Sequence, residues 1–167
     1  MAQNKDKSKI EQWLERKDEV KIENKKLIKK LLRLKSKKLN EATKGLHNKI
    51  FKEIDCLDCA NCCKSIPPII NETDSRRIAK HLGMKVTKFK DKYVKFDEDM
   101  DMVMNLSPCP FLQADNKCLI YEYRPKACRE YPHTEDYEFT KQLKLHTINA
   151  SYCPAVFHIL EKLKTQF

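Results

Sequence analysis

The segment Cys56-Leu57-Asp58-Cys59-Ala60-Asn61-Cys62-Cys63 places four of the chain's eight cysteines within eight residues. Thiolates two residues apart can converge on one soft ion, so a cluster this dense points to metal ligation. Any fold the chain adopts must bring donors to this segment. The other four cysteines, Cys109, Cys118, Cys128 and Cys153, lie downstream and are expected to fold back onto it as the second half of a site.

The rest of the composition narrows the chemistry. Only Gly45 and Gly83 occur, which excludes a glycine-rich phosphate loop or a dinucleotide fingerprint. No Ser/His/Asp or paired-carboxylate signature can be read from spacing. Met1 to Lys9 is polar and basic, with no apolar stretch of the kind a secretory signal needs. No run approaches the roughly 20 apolar residues that cross a bilayer. The sequence therefore predicts a cytoplasmic protein, where thiols stay reduced and eight cysteines favour metal over disulfides.

Charge is uneven along the chain. Residues 1–55 carry 17 Lys and Arg against 9 Asp and Glu, a net of +8, whereas residues 56–167 are close to balanced at +2. Within the basic part, Ile10, Trp13, Lys17, Val20, Asn24, Leu27, Leu31, Leu34 and Lys38 fall on alternating three- and four-residue steps. That spacing predicts a helix over residues 10–38. Ile28, Leu32 and Leu39 widen its apolar face, which suits docking on a body better than a two-stranded zipper. Lys25, Lys26, Lys29, Lys30, Arg33, Lys35, Lys37 and Lys38 include no acid among them and lie mostly opposite the leucines. A basic helical face of this kind can approach nucleic acid or an anionic membrane surface, or simply stay solvated. No aromatic residues interleave with the lysines to stack bases.

Further along, Gly45 is positioned to stop the helical region, and Leu46, Ile50, Phe51 and Ile54 predict a short helix leading into the cysteines. Ile66-Pro67-Pro68-Ile69-Ile70 reads as extended. Asn71 with Asp74 three residues on predicts a capped helix over about 72–82, closed by Gly83, and Thr87 caps another to about Val94. The second of this pair is short and offers no reading face, so the two are read as packing helices and not as a DNA-binding helix-turn-helix. Met102–Leu106 and Cys118–Tyr121 have strand character, with a turn over Ala114–Lys117. A helix over Ala150–Lys164 carries Pro154 in its first turn and His158 on its apolar side.

Cys56, Cys59 and Cys62 share the two-residue spacing of a ferredoxin-like [4Fe–4S] site completed by a distant cysteine, and equally of a tetrahedral zinc site. Cys62 and Cys63 are adjacent, so their side chains diverge. They can serve two ions, or one can bridge or stand aside. Eight cysteines suffice for two four-thiolate sites or one polynuclear centre. Four thiolates around a divalent ion leave about two excess negative charges, which Lys64, Arg124, Lys126 and Arg129 are placed in sequence to offset. Among tyrosines at 121, 123 and 131, the two arginines are set for guanidinium stacking.

Cys56-x2-Cys59-x2-Cys62-Cys63, Cys109-Pro110-Phe111-Leu112, Cys118-Leu119-Ile120-Tyr121-Glu122-Tyr123-Arg124-Pro125-x2-Cys128-Arg129 and Cys153-Pro154 together resemble the CxxCxxCC, or YkgJ-like, family of zinc- or iron-chelating cysteine-cluster proteins. The resemblance spans about residues 53–155 and implies all eight cysteines as metal-ligand candidates: Cys56, Cys59, Cys62, Cys63, Cys109, Cys118, Cys128 and Cys153. It does not reach the basic arm. A related cysteine pattern occurs in flagellin lysine N-methylases, which suggests an iron–sulfur oxidoreductase or protein-modifying alternative. This chain lacks both the nucleotide loop and the x3-x2 cysteine triad of radical adenosylmethionine enzymes. The expected architecture is α+β but mainly helical: a basic helical arm over residues 1–52, then a cysteine module with short antiparallel strands over residues 53–167.

Overall fold

A computed structural model of the chain describes residues 7–135 and 137–167. The first six residues of the expected arm lie outside them. In chain order the elements are α1 (Lys9–Arg16), α2 (Lys21–Leu31), α3 (Ser36–Thr43), α4 (Leu46–Phe51), α5 (Cys56–Cys59), α6 (Asn61–Ser65), α7 (Glu72–His81), α8 (Val86–Tyr93), β1 (Val94–Phe96), β2 (Met102–Met104), a 3-10 turn (Tyr121–Tyr123), α9 (Lys126–Glu130), α10 (Tyr137–Lys141), α11 (Leu143–Asn149) and α12 (Pro154–Lys164). Among the described residues the fold is mainly helical with one small antiparallel sheet, as the sequence predicts. Two compact units divide the chain: unit 1 is Met1–Cys59 with Pro132–Phe167, and unit 2 is Ala60–Tyr131.

Unit 1 is helical. The helix expected over residues 10–38 is three pieces, not one. A straight helix of that length would run to about 43 Å at 1.5 Å per residue, longer than a small domain can cover. Breaking it lets each piece find its own partner: α1 packs on α12, α2 on α11 and α3 on α10. At the second break Arg33 and Leu34 donate to the carbonyls of Lys30 and Leu31, at 3.1 and 3.0 Å, a tightened last turn before Lys35 becomes extended. Of the arm's apolar positions Trp13, Val20, Leu27, Ile28, Leu31 and Leu39 are buried, as a docked helix requires, whereas Leu32, expected on the same face, is 48% exposed. Trp13 packs with Val20 and Phe157, and its indole Nε1 donates to Ala150 O at 2.9 Å. Gly45 takes φ 73 between α3 and α4, a left-handed backbone that strains any residue with a Cβ. Pro154 opens α12 at its first position, as predicted, and its missing N–H costs nothing there. His158 is buried and its Nε2 sits 2.8 Å from Lys9 O.

His146, which the sequence left unremarked, is fully buried on α11, stacked on Phe139 with Nε2 3.1 Å from the Phe139 carbonyl. Burial pushes its pKa down to about 4, with the charge of His133 adding to the effect. The unfolded imidazole, near 6.5, takes up a proton that the folded one refuses, so stability falls as pH drops from 6.5 toward 4. We expect unit 1 to lose about 2 kcal/mol between pH 7 and pH 5. His146→Phe should remove most of that loss in paired denaturant titrations. An unchanged slope would exclude His146 as its source.

Unit 2 is built on a small apolar core. Ile70, Ile78, Ala79, Phe89, Met104, Phe111 and Ile120 cluster there, with Cys109 and Cys118 packed against them. Asn71 and Asp74 form a reciprocal capping box on α7, as predicted, and Gly83 takes φ 65 just past its end. The strands differ from expectation. Met102–Met104 pairs with Val94–Phe96 across the acidic turn, in the register Val94 to Met104. Cys118 makes only an isolated antiparallel bridge with Leu112. The Ala114–Lys117 turn is present, but the bonds Gln113 N to Lys117 O at 2.8 Å and Leu119 N to Phe111 O at 2.9 Å are too few for a ladder. The chain after Cys118 instead coils into the 3-10 turn that carries the tyrosines.

Candidate metal centre

The cysteines fall on short elements whose local chemistry explains their placement. Asp55 starts α5 by accepting from Leu57 N at 2.8 Å, and the helix brings Cys56 and Cys59 three residues apart onto one side. Ala60 then takes a left-handed φ of 45, which separates α5 from α6 and its Cys62-Cys63 pair. None of the eight cysteines is in a disulfide. Cys56 is exposed, Cys153 is buried, and the other six are partly buried.

Unit 1 holds Cys56, Cys59 and Cys153, and unit 2 holds Cys62, Cys63, Cys109, Cys118 and Cys128. Within unit 2, Cys109 N donates to Cys63 O at 2.8 Å, tying the α6 turn directly to the 109–112 turn. Ser107 Oγ donates to Lys64 O at 3.1 Å and supports the same junction.

The thiols sense one another. Burial raises Cys109 to about 11, and the charges that Cys63 and Cys118 would carry add to the shift. Burial likewise takes Cys128 to about 12, with Cys63, Cys109 and Cys118 opposing its ionisation. Cys118 is raised for the same reasons. In unit 1, burial takes Cys153 to about 12, and Cys56 and Cys59 add repulsion. Cys63 moves the other way, to about 7, because a side-chain hydrogen bond from Cys62 and the charge of Lys64 favour its thiolate. Several backbone amides also favour sulfur anions: Phe111 and Leu112 beside Cys109, and Ile120 beside Cys118. At the start of α12, Ala155 and Val156 do so beside Cys153, without closing a capping hydrogen bond.

Arg124 acts on this group as expected from sequence. Its charge favours the Cys118 and Cys128 thiolates, its guanidinium stacks 3.9 Å from the Tyr121 ring centroid, and Nη1 donates to Tyr121 O at 2.6 Å. Arg129 Nη1 donates to Arg124 O at 2.7 Å. Lys126 pairs its side chain with Glu130 at 3.6 Å on an exposed surface.

The residue that organises the group was read in the sequence only as a cap. Asp74 is buried and meets Arg77 Nη2 at 2.5 Å, while both its oxygens accept from Lys126 N at 3.2 and 3.3 Å. Arg77 Nη2 also donates to Arg124 O at 2.9 Å, and His81 stacks on Tyr123 at 3.9 Å. One carboxylate thus fixes the start of α7, the 121–125 turn and the start of α9, which carries Cys128. Nothing in the spacing of Asp74 and Lys126, 52 residues apart, signals that contact.

The donor set fits zinc or iron. Thiolates are soft ligands, and mutual repulsion among buried thiolates is the cost a cation removes. As placed, no three His, Cys, Asp or Glu side chains among the described residues converge closely enough to hold an ion.

A model of the CxxCxxCC family, described as "Putative zinc- or iron-chelating domain", matches residues 55–154, more than half of the chain. The chain belongs to the CxxCxxCC family. The match runs from the residue before Cys56 to the residue after Cys153, and so takes in all eight cysteines of this CxxCxxCC protein. No match was found among curated proteins or among solved structures. No helix of the described residues is long and apolar enough to cross a membrane.

Proposed function

We propose that this CxxCxxCC protein chelates zinc or iron through the thiolates of Cys56, Cys59, Cys62, Cys63, Cys109, Cys118, Cys128 and Cys153, and that the metal organises its fold. The observation that carries the reading is the cysteine set itself: all eight lie within residues 55–154, where the zinc- or iron-chelating family model matches, and none is in a disulfide. Eight cysteines outside any disulfide suit a reducing compartment such as the cytoplasm. The metal module is residues 53–167, with residues 1–52 as a basic helical arm. Elemental analysis with a visible spectrum on anaerobically purified protein tests the reading. Colourless protein with stoichiometric zinc identifies a zinc chelator. Brown protein whose visible absorbance bleaches on reduction identifies an iron–sulfur centre, [4Fe–4S] included, and favours the oxidoreductase alternative. Metal-free protein that melts normally would overturn chelation.

A second reading concerns the arm. Lys25, Lys26, Lys29, Lys30, Arg33, Lys35, Lys37 and Lys38 are all exposed. Lys25, Lys29, Lys30, Arg33, Lys35 and Lys37 form no ion pair among the described residues, whereas Lys38 lies over the Phe167 ring at 5.4 Å. Such a face attracts a polyanion, nucleic acid or an anionic membrane, by counterion release. Replacing Lys25, Lys29 and Lys30 with Gln should weaken retention on duplex DNA or anionic vesicles and lower its salt dependence. Equal retention by the variant would leave the face as solvated surface. Truncating residues 1–52 is a poorer test, because it strips α11 and α12 of the helices packed on them.

A further inference from the structure

We propose that the outward face of α2 docks flat on an anionic lipid bilayer, with Ile22 at the acyl boundary and the lysines around it on the headgroups. The inference rests on the reading of the arm as a polyanion-binding face and deepens it by naming a lipid surface as the partner.

The residues of α2 divide cleanly around the helix. Asn24, Leu27, Ile28 and Leu31 are buried, and the helix packs on α11 and α12. At 3.6 residues per turn, the side opposite them carries Ile22, Lys26 and Lys29 in one stripe, with Lys25 and Lys30 flanking it. All five are exposed. Ile22 stands in the middle of this charge with 68% of its surface open, and Leu32, which caps the same helix, is also exposed. The interior of unit 1 thus accounts for one side of α2 and leaves the other both basic and aliphatic.

The charge on that side is uncompensated. Glu23 is the one acid of α2, and it accepts from Lys164 Nζ at 2.9 Å. Lys21 pairs with Asp18 at 2.6 Å. Lys25, Lys29 and Lys30 form no ion pair among the described residues, and Lys26 adds a further cation to the stripe.

The side chains favour lipid over nucleic acid. No arginine and no aromatic residue occurs in α2, the types that grip base edges in pairs of hydrogen bonds or stack on bases. Lysine ammonium groups are compact point charges that suit a surface of mobile anionic headgroups. An exposed isoleucine gains nothing over a row of phosphates, whereas at the acyl boundary its aliphatic surface leaves water.

The test uses the full chain in co-sedimentation with vesicles of phosphatidylcholine mixed with phosphatidylserine. Pure phosphatidylcholine vesicles and duplex DNA serve as comparisons. The wild type should bind the mixed vesicles, with affinity falling as salt rises, and not the neutral ones. Each lysine near an anionic surface contributes roughly a fivefold factor, so replacing Lys25, Lys29 and Lys30 with Gln should weaken vesicle binding about 100-fold. Ile22→Gln keeps the charge and a good helix former at an exposed position. It should weaken vesicle binding roughly tenfold and leave retention on duplex DNA unchanged. Ile22→Trp gives a direct signal, because the one native tryptophan, Trp13, is buried. Its added emission should shift to the blue with mixed vesicles and stay unshifted with neutral ones. Wild-type vesicle affinity in Ile22→Gln, with unchanged far-UV circular dichroism, would overturn the proposal, as would an unshifted Ile22→Trp. Retention on duplex DNA without binding to mixed vesicles also overturns it and leaves the polyanion reading standing. Binding to neither overturns that reading as well.

Discussion

Removing the metal from the reduced protein with a chelator is expected to abolish the cooperative thermal transition of residues 60–131. Unit 2 has little else to stand on. Its sheet is a hairpin of three-residue strands, which is marginal alone, and its core is a cluster of seven buried side chains of which Phe89 and Phe111 are the largest. Structural zinc sites contribute on the order of 10 kcal/mol to folding, more than such a core supplies. The pH dependence should have a definite sign. Metal-free Cys109 and Cys128, raised to about 11 and about 12, hold their protons at neutral pH, so binding releases protons and weakens as pH falls. Thermal melts followed by circular dichroism, with and without chelator and at several pH values, read both effects. Unchanged melting and unchanged near-ultraviolet signal after metal removal would show that the thiols hold no structural metal.

Asp74→Ala is expected to be the most damaging single substitution in unit 2 outside the cysteines. It deletes a buried carboxylate, leaves the Arg77 guanidinium without its ion-pair partner, and frees Lys126 N and Asn71 N together. Breaking a buried pair by removing one partner costs on the order of 3–5 kcal/mol. Because the same carboxylate sets the start of the Cys128 helix, metal retention should fall as well, by about 10- to 100-fold, the range found for groups that orient ligands without touching metal. Asp74→Asn keeps an acceptor for Lys126 N and should retain more of the metal affinity than of the stability. Competition with a coloured chelator measures the first quantity and denaturant titration the second. Equal metal affinity in Asp74→Ala and wild type would separate this network from the thiol group.

Local features were legible before the fold. The Asn71–Asp74 capping box, the two glycines at positive φ and Pro154 opening the last helix each depend on residues within a turn or two. The stacking of Arg124 on Tyr121 is of the same kind, three residues apart. The heptad-like spacing of residues 10–38 correctly marked the buried face, but not the breaks. Those depend on which helix each piece meets, and the meeting partners lie more than 90 residues away. The strand expected at Cys118–Tyr121 failed because its β-branched and aromatic residues found no neighbouring strand to pair with.

Spacing along the chain by itself determined that this protein carries clustered thiol donors of a CxxCxxCC domain, because ligand chemistry and short-range geometry are written in residue types two or three positions apart. The backbone contacts among the segments that carry those cysteines were decided by tertiary structure. Cys63, Cys109, Cys118 and Cys128 are joined by backbone bonds and one buried carboxylate, while Cys56, Cys59 and Cys153 belong to the helical unit. Such pairings close loops of tens of residues, and the burial that compensates for that closure exists only once the chain is folded.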